Sequence, residues 1–564
     1  LRVVTGTHNA LLAFDLGETK RADCLGFSIE RTDLDTGDRR WLPNMLRFPS
    51  DTNPERVTTA RAPLQKFRWG DYTVEPGKRY RYRAVARYGT AADVFREGVS
   101  AEKPGAFDVI GGGAIVDVRA ENSRDDHTAV FFNRGAAASE AYVRRFGDND
   151  PANIPDALVW LSRGLEEAIL AFLAKAIDDR FALHAAIYEF QKPNLLQGLM
   201  QAKRRGVDVN VIYHGRDNGA KDTTREKNGA AIVSAGMTFA APRKANPQAA
   251  IMHNKFVVLL RNDTGGVPRP IAVWTGSTNW TEGGIYGQLN VGHGIYEPGV
   301  AATYEAYFQQ LAQDPDAAAS REAMQALTPV PANREAVAHG ITPVFSPQGS
   351  LDMITLYAEV CAKAKVLMVS APFALHPKIR AVFDQRSPDT LRFLMADKEG
   401  SFGKKGQMEI MERDPGNAAA VATILHNPLN DYQGHLLEHA EGFHHAGVHI
   451  HSKIIAADPF GPDPILITGS ANFSSNSTME NDSNSLIFRG DTAVMDIYAT
   501  EFMRMFEHYW FRYKQKREED DAKAAGRTAG TVLALKEDAS WADPFFVPGS
   551  KEMLDRQAFA GIAV

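Results

Sequence analysis

The sequence predicts a duplicated α/β body behind an all-β N-terminal module. Three observations carry that expectation. The first hundred residues show period-2 strand patterning with turn signals. From about residue 120 the texture changes to alternating helix and strand, and it does so twice. Finally, a pair of short polar motifs recurs at the same place in each round. At 564 residues the chain is also too long for one ordinary domain.

In the N-terminal part the clearest strand is Arg79-Tyr80-Arg81-Tyr82-Arg83-Ala84-Val85-Ala86-Arg87-Tyr88. Its tyrosines and alanines fall on one face and its arginines largely on the other, as a half-buried strand requires. Upstream, Phe27–Arg31 leads into Asp35-Thr36-Gly37-Asp38, a hairpin-like turn. Short strands at this spacing suggest a β-sandwich over residues 1–105.

The first α/β round, assigned to residues 106–330, has a helix near Pro155–Ala176 and a strand Phe181–Glu189. A helix near Pro193–Arg205 and a strand Val207–Tyr213 follow. The second, residues 331–515, repeats the order with a helix near Leu351–Ala364 and a strand Lys365–Ala371. It continues with a helix near Pro377–Gln385 and a strand Leu391–Ala396. That cadence means α/β units with a largely parallel sheet. Each round then has a polar Gly- and Lys-bearing segment, an apolar strand, a second strand and a closing helix. The closing helices, from Val300 and from Val494, share texture. The repeat is about 200 residues long, larger than a solenoid unit, and predicts two lobes related by a pseudo-twofold axis. The run Lys514–Lys523 reads as the solvated end of the last helix, and residues 516–564, with Trp541, Phe545 and Phe546, as a tail packing on the body.

Composition narrows the class. Lys and Arg number 63 against 69 Asp and Glu, a net charge of −6, so no basic surplus marks an overall nucleic-acid grip. Two cysteines, Cys24 and Cys361, exclude a disulfide scaffold and argue against a cysteine metal site. No apolar run reaches the ~20 residues that span a bilayer. The chain opens on Leu1 rather than Met, consistent with a removed leader, and the compartment stays open.

The motifs carry the chemistry. The first round contains Met252-His253-Asn254-Lys255, followed by Gly276-Ser277-Thr278-Asn279; the second contains Ile450-His451-Ser452-Lys453, followed by Gly469-Ser470-Ala471-Asn472. On a strand, residues two apart share a face, so imidazole and ammonium project into one space. In the next motif the glycine permits close backbone approach, and a hydroxyl and a carboxamide join the polar groups. Two ammoniums and two amides stabilise the charge of a phosphodiester undergoing in-line displacement. Two imidazoles divide the work, one neutral to attack phosphorus and one protonated to release the leaving oxygen. Both must then lie within about 8 Å of each other to reach one phosphorus.

A bare His-x-Lys means little, since about one is expected by chance among 16 histidines. His376-Pro377-Lys378 is such a triplet, with no Gly-Ser-x-Asn behind it. Two triplets with that sequel, at matching places in a duplication, are a specific signal.

Both rounds resemble the HKD motif of the phospholipase D superfamily, over about residues 120–512. The fold implied is a two-lobed phospholipase D body preceded by the β-sandwich. The run Val74–Tyr82 of that sandwich resembles the matching stretch of fibronectin type III modules. The second motif is complete through Asp458, whereas Leu260 holds the corresponding place in the first and Asp263 comes three residues later. The resemblance implies His253, Lys255, Asn279, His451, Lys453 and Asn472 as catalytic residues, with Ser277, Ser470 and Asp458 in support. It also implies a carboxylate or amide bonded to a catalytic imidazole, for which Glu480 and Gln288 are the leading counterparts, with Asn290 and Asn481 beside them. His253 is the implied nucleophile and His451 the general acid, although pseudo-symmetry leaves the reverse assignment open.

The implied reaction is hydrolysis or transfer of a phosphodiester through a phosphohistidine, without a metal or other cofactor. A phospholipid head group is the favoured substrate, a nucleic acid the alternative. With both motifs in one chain, a monomer suffices. A third reading, a catalytically inert binding module, sits poorly with two intact motifs. His444, His445, His449 and His451 look like a metal cluster, yet no Cys or carboxylate spacing completes a zinc site. The loops with Arg216, Lys221, Arg225 and Lys227, and with Lys398, Lys404 and Lys405, follow strand ends where α/β sites open.

Overall fold

The computed structural model describes the chain except residues 45, 52–56, 97–111, 123–126, 136–141, 143–144, 148–150, 218, 220–222, 246–249, 264–265, 386, 388, 404–407, 409–410, 413, 415, 423–448, 528–533 and 563–564. The described residues form four sheets, two small and two seven-stranded.

Strands β1 (Arg2–Thr5), β2 (Ala10–Ala13), β3 (Cys24–Asp33), β4 (Arg39–Trp41), β5 (Arg68–Asp71), β6 (Arg79–Tyr88) and β7 (Ala114–Arg119) make two antiparallel sheets, β1-β2-β5 and β4-β3-β6-β7. In β6 the alternation acts as the sequence suggests: Tyr80 and Tyr82 are buried while Arg79 and Arg81 face outward. The turn after β3 is closed by Asp33, whose carboxylate accepts from the amides of Asp35 and Thr36, and Gly37 takes φ 81°. Strand β7 pairs with β6 from beyond residue 105, so the β module draws on a strand from the segment assigned to the first lobe. The C-terminal tail covers this module. Trp541 donates from Nε1 to the Cys24 carbonyl at 2.8 Å and packs on Phe67 at 5.4 Å. The helix Lys551–Ala560 then ties module to body, through Asp555 to Arg68 at 2.9 Å and Phe559 against Phe393 at 6.0 Å.

The first large sheet comprises β8 (Thr128–Phe132), β9 (Phe181–Ile187), β10 (Asp208–His214), β11 (Ala240–Arg243), β12 (Lys255–Arg261), β13 (Arg269–Gly276) and β14 (Val291–Ile295), in the order β11-β10-β9-β12-β13-β14-β8. The second comprises β15 (Gly340–Ser346), β16 (Val366–Ala371), β17 (Leu391–Ala396), β18 (Asn417–Val421), β19 (Ile454–Ala457), β20 (Ile465–Gly469) and β21 (Ser483–Arg489), in the order β15-β21-β20-β19-β16-β17-β18. Read from its other edge, the first maps strand for strand onto the second. In each, three strands are parallel and the other pairings antiparallel. The fold is mixed α/β, and the duplication read from the motifs is present in the topology.

The helix expected over Pro155–Ala176 is two, Pro155–Ser162 and Leu165–Ala174. Arg163 and Gly164 between them take φ 49° and 89°. The break turns Arg163 inward, where its guanidinium donates to the Phe132 carbonyl at 2.9 Å and meets Glu501 at 2.7 Å.

The closing helices Pro298–Ala312 and Thr492–Ala524 lie between the two sheets. Tyr304 packs edge-on against Phe256 of β12 and Phe345 of β15, at 5.1 and 4.9 Å. Tyr498 does the same service from the other helix, with Phe132 of β8 at 4.9 Å and its hydroxyl donating to Thr468 of β20 at 3.1 Å. Each such buried ring contributes about 1.5–3 kcal/mol. The lobes therefore share one core. Beyond Lys514 the last helix is not merely solvated, since Lys514 and Arg517 both pair with Glu412. Among the described residues no helix is long and apolar enough to cross a membrane.

Candidate active site

The two motif histidines meet at the seam between the lobes. Sequence reading places them inside strands, but β12 begins at Lys255 and β19 at Ile454, so each histidine precedes its strand. The reason is a cross-lobe exchange. Met252 bridges to Asp482 and Ile450 to Leu289, each in parallel register with the opposite lobe. The His253 amide donates to the Asp482 carbonyl at 2.7 Å, and the His451 amide to the Leu289 carbonyl at 3.2 Å. The backbone of each histidine thus satisfies its hydrogen bond across the seam rather than within its own sheet. The rings stand 6.4 Å apart between centroids, inclined at 70°.

Behind them lie the lysines, 1% and 0% exposed. Lys255 Nζ donates to the His253 carbonyl at 2.7 Å and Lys453 Nζ to the His451 carbonyl at 2.6 Å. Burial is the main force on all four groups. It holds Lys255 well below the usual lysine range, against the pull of the Glu189 carboxylate, and Lys453 likewise, with Lys255 adding to the shift. Burial and then the neighbouring lysines push both imidazoles well below their ordinary value, so both are neutral near pH 7. Four groups that favour an anion converge where water is excluded, and a phosphate would relieve their desolvation.

The Gly-Ser-x-Asn segments close the floor. A Cβ on Gly276 would lie 2.2 Å from the Val291 carbonyl, and one on Gly469 2.5 Å from that of Asn484, so only glycine permits this approach. The serines do not face a substrate. Ser277 donates to Asn290 Oδ1 at 2.8 Å, and Ser470 accepts from the Asn484 amide at 3.0 Å, each stitching its strand to the next. Asn279 donates to Glu189, and the Asn472 backbone amide is anchored on Ser477 Oγ. The Oδ1 atoms of Asn279 and Asn472 are buried with no partner among the described residues.

Three expected supports stand elsewhere. Glu480 is ion-paired with Arg321 at 2.7 Å. Gln288 ends the turn Gly283–Gly287, and among the described residues its Oε1 reaches only Asn290, at 3.4 Å. Asp458 lies at the far end of β19 with φ 52°, capping the amides of Lys365 and Val366 and pairing with Arg334 at 2.9 Å. It braces the second sheet rather than the imidazoles. The imidazole partner is Asn290, whose Oδ1 lies 2.8 Å from His451 Nδ1. Register decides this, because the Leu289–Ile450 bridge sets the next residues, Asn290 and His451, side by side.

Sequence reasoning missed Tyr188 and Glu189, just past β9. The Tyr188 ring lies 5.1 Å from His253 and 5.0 Å from Lys255 Nζ. Strand pairing makes Phe373, just past β16, the counterpart of Glu189. Phe373 is 46% exposed and lines an open cleft of about 180 Å³ with Pro372, Ala374, Asp397, Lys398 and Ser401. Asp397 accepts from the amides of His449 and Ile450, which places this cleft beside His451.

Of the basic loops, Arg225 pairs with Asp217 and Glu226, and Arg216 donates to the Ala250 carbonyl. Lys221, Lys404, Lys405, His444 and His445 lie outside the described residues. Among the described residues no group of three metal-ligating side chains occurs.

Residues 173–312 match the family described as cardiolipin synthase, PLD-like domain. No curated protein matches the sequence. Among solved structures, a polyphosphate kinase from Porphyromonas gingivalis is 11% identical, covering 60% of this chain and 44% of its own, with a TM-score of 0.39. A phosphatidylserine synthase from Haemophilus influenzae Rd KW20 is 10% identical over 65% of this chain and 92% of its own, TM-score 0.38. Nuc from Salmonella typhimurium, a phospholipase D family member, is 21% identical over 26% of this chain and 87% of its own, TM-score 0.21. The family likeness thus lies in residues 173–312, which are similar to a phospholipase D-like domain.

Proposed function

We propose that this protein is a phospholipase D-type phosphodiesterase that hydrolyses or transfers a phosphodiester through a phosphohistidine intermediate. The observation that carries the reading is the pair of imidazoles 6.4 Å apart over two buried lysines, all four from one chain. One imidazole attacks phosphorus and the other protonates the leaving oxygen. The second step reverses the roles, with water or an alcohol as acceptor. Lys255 and Lys453 neutralise the non-bridging oxygens, and the Asn279 and Asn472 amides complete the pocket. These cations do the work a metal does elsewhere, so the reaction runs without one, and a monomer suffices.

A phospholipid head group is the favoured substrate. The cleft at Phe373 offers an exposed aromatic ring and a lysine beside the site, a fit for an apolar arm carrying an anion. The acidic total and the cardiolipin synthase description of the matched family support the same choice. The test is purified protein assayed on phosphatidylcholine vesicles and on single-stranded DNA, each with and without EDTA. The expected result is head-group release unchanged by EDTA. Cleavage of DNA alone would assign a nuclease, and a loss in EDTA restored by a divalent ion would overturn the metal-free mechanism.

A further inference from the structure

The two halves of the site differ at the residue set beside each imidazole by the cross-lobe bridges, and that position bears on which histidine attacks. The Leu289–Ile450 bridge sets Asn290 beside His451; the matching Met252–Asp482 bridge sets Ser483 beside His253. Asn290 reaches its imidazole at 2.8 Å. Ser483 is shorter, and its hydroxyl pairs with Ser477 Oγ at 3.4 Å. His253 Nδ1 is consequently buried with no partner in bonding geometry among the described residues.

The orientation of Asn290 is fixed by its surroundings. Its Nδ2 donates to the Gly284 carbonyl at 2.9 Å, while its Oδ1 also accepts from Ser277 Oγ at 2.8 Å. An atom that only accepts requires a proton on His451 Nδ1. The neutral ring then keeps its lone pair on Nε2, the atom opposite, which is the form a nucleophile needs. Among the described residues no side-chain acceptor in bonding geometry imposes that tautomer on His253. The carbonyls of Ser470 and Ser277 favour a protonated ring at His253 and His451 alike and do not distinguish them.

We infer that His451 is the nucleophile and His253 the general acid–base, with Asn290 the residue that sets this polarity. The inference rests on the phosphodiesterase reading and reverses the assignment drawn from family resemblance. In the first step the His451 Nε2 lone pair forms the P–N bond. The P–O bond to the leaving group breaks, and that oxygen takes a proton from the His253 imidazolium, which the bound diester anion favours. In the second step water adds to phosphorus and gives its proton to His253. The P–N bond breaks and its electron pair returns to His451. Asn290 touches no substrate; it acts by position.

The test uses full-length protein and bis(p-nitrophenyl) phosphate, quenched at alkaline pH, with mass spectrometry of the peptides around both motifs. The adduct is expected on His451. In His253→Ala it should persist, because the group that activates water is gone, whereas His451→Ala should form none. Asn290→Ala should slow adduct formation by about 10- to 100-fold, the usual cost of losing a ring-orienting partner. Asn290→Asp keeps an acceptor and should restore formation, which a merely structural role would not show. An adduct on His253 would overturn the assignment while leaving the phosphodiesterase intact. Absence of turnover on any diester would instead overturn the underlying reading.

Discussion

Replacing Lys453 by methionine should remove activity and raise stability together. The side chain is fully buried, its Nζ donates among the described residues only to the His451 carbonyl, and burial holds it well below the usual lysine range. Removing a preorganised charge from a developing phosphorane costs about 10²–10³ in kcat, or about 2.7–4 kcal/mol. Stability moves the other way. A lysine whose native value is depressed binds its proton more weakly folded than unfolded, where it titrates near about 10.4. Between those two values the unfolded chain holds the extra proton, so wild-type stability rises with pH across that window. At pH 7 the native state therefore carries a penalty that methionine, of similar volume, does not. Losing the carbonyl hydrogen bond costs about 1 kcal/mol, and apolar replacement of a buried ionic group gains about 1–4 kcal/mol, for a net gain of about 0–3 kcal/mol. At about 1 °C per kcal/mol for a chain of this length, Tm should rise by up to about 3 °C at pH 7. The gain should fade toward pH 10. Calorimetry at both pH values, beside diester turnover, is the assay. A lower Tm at pH 7 with activity retained would refute both the electrostatic account and the role of the lysine.

Other expectations concern packing and substrate. Glu501→Ala should destabilise the fold by about 3–5 kcal/mol, since it strands the buried guanidinium of Arg163; urea denaturation measures it. Gly276→Ala should cost about 1–3 kcal/mol and lower kcat, because the added Cβ pushes against β14 and shifts Asn290; a fall in stability without a fall in kcat would separate the two. Phe373→Ala should raise KM for vesicle phospholipid by about tenfold, because the ring no longer shields an acyl chain from water, and leave bis(p-nitrophenyl) phosphate unchanged; equal effects on both substrates would remove the cleft from the binding site.

Much of the fold was legible because local pattern and tertiary role agree. The strand Leu391–Ala396 falls where its apolar run ends, and the helix Asp352–Lys363 within a residue of its expected bounds. What the pattern hid were strands with little apolar signal. Strand β14 reads Val-Gly-His-Gly-Ile, and β11 contains Pro242 at a sheet edge. The break at Arg163 was hidden too, because the residue adopts φ 49° to reach Glu501, some 340 positions away in the chain. At the site, motif spacing pointed to the histidines and lysines that the seam brings together. The supports could not be ranked, because Gln288 and Asn290 differ only in cross-lobe register, and no local signal reports a bridge between Leu289 and Ile450. Glu189 lacks a motif altogether; its place follows from the sheet.

The central claim, one phosphodiester site built from both motifs of a single chain, is tested most directly by active-site titration. Excess bis(p-nitrophenyl) phosphate mixed rapidly with a known concentration of protein should release a burst of p-nitrophenolate. The account predicts an amplitude of about one equivalent per chain, the single phosphorus that two imidazoles 6.4 Å apart can share. It also predicts no steady-state turnover in a protein lacking His451. Two equivalents per chain would mean two independent sites, and no release at all would mean that this cluster of histidines and lysines does not perform phosphodiester chemistry.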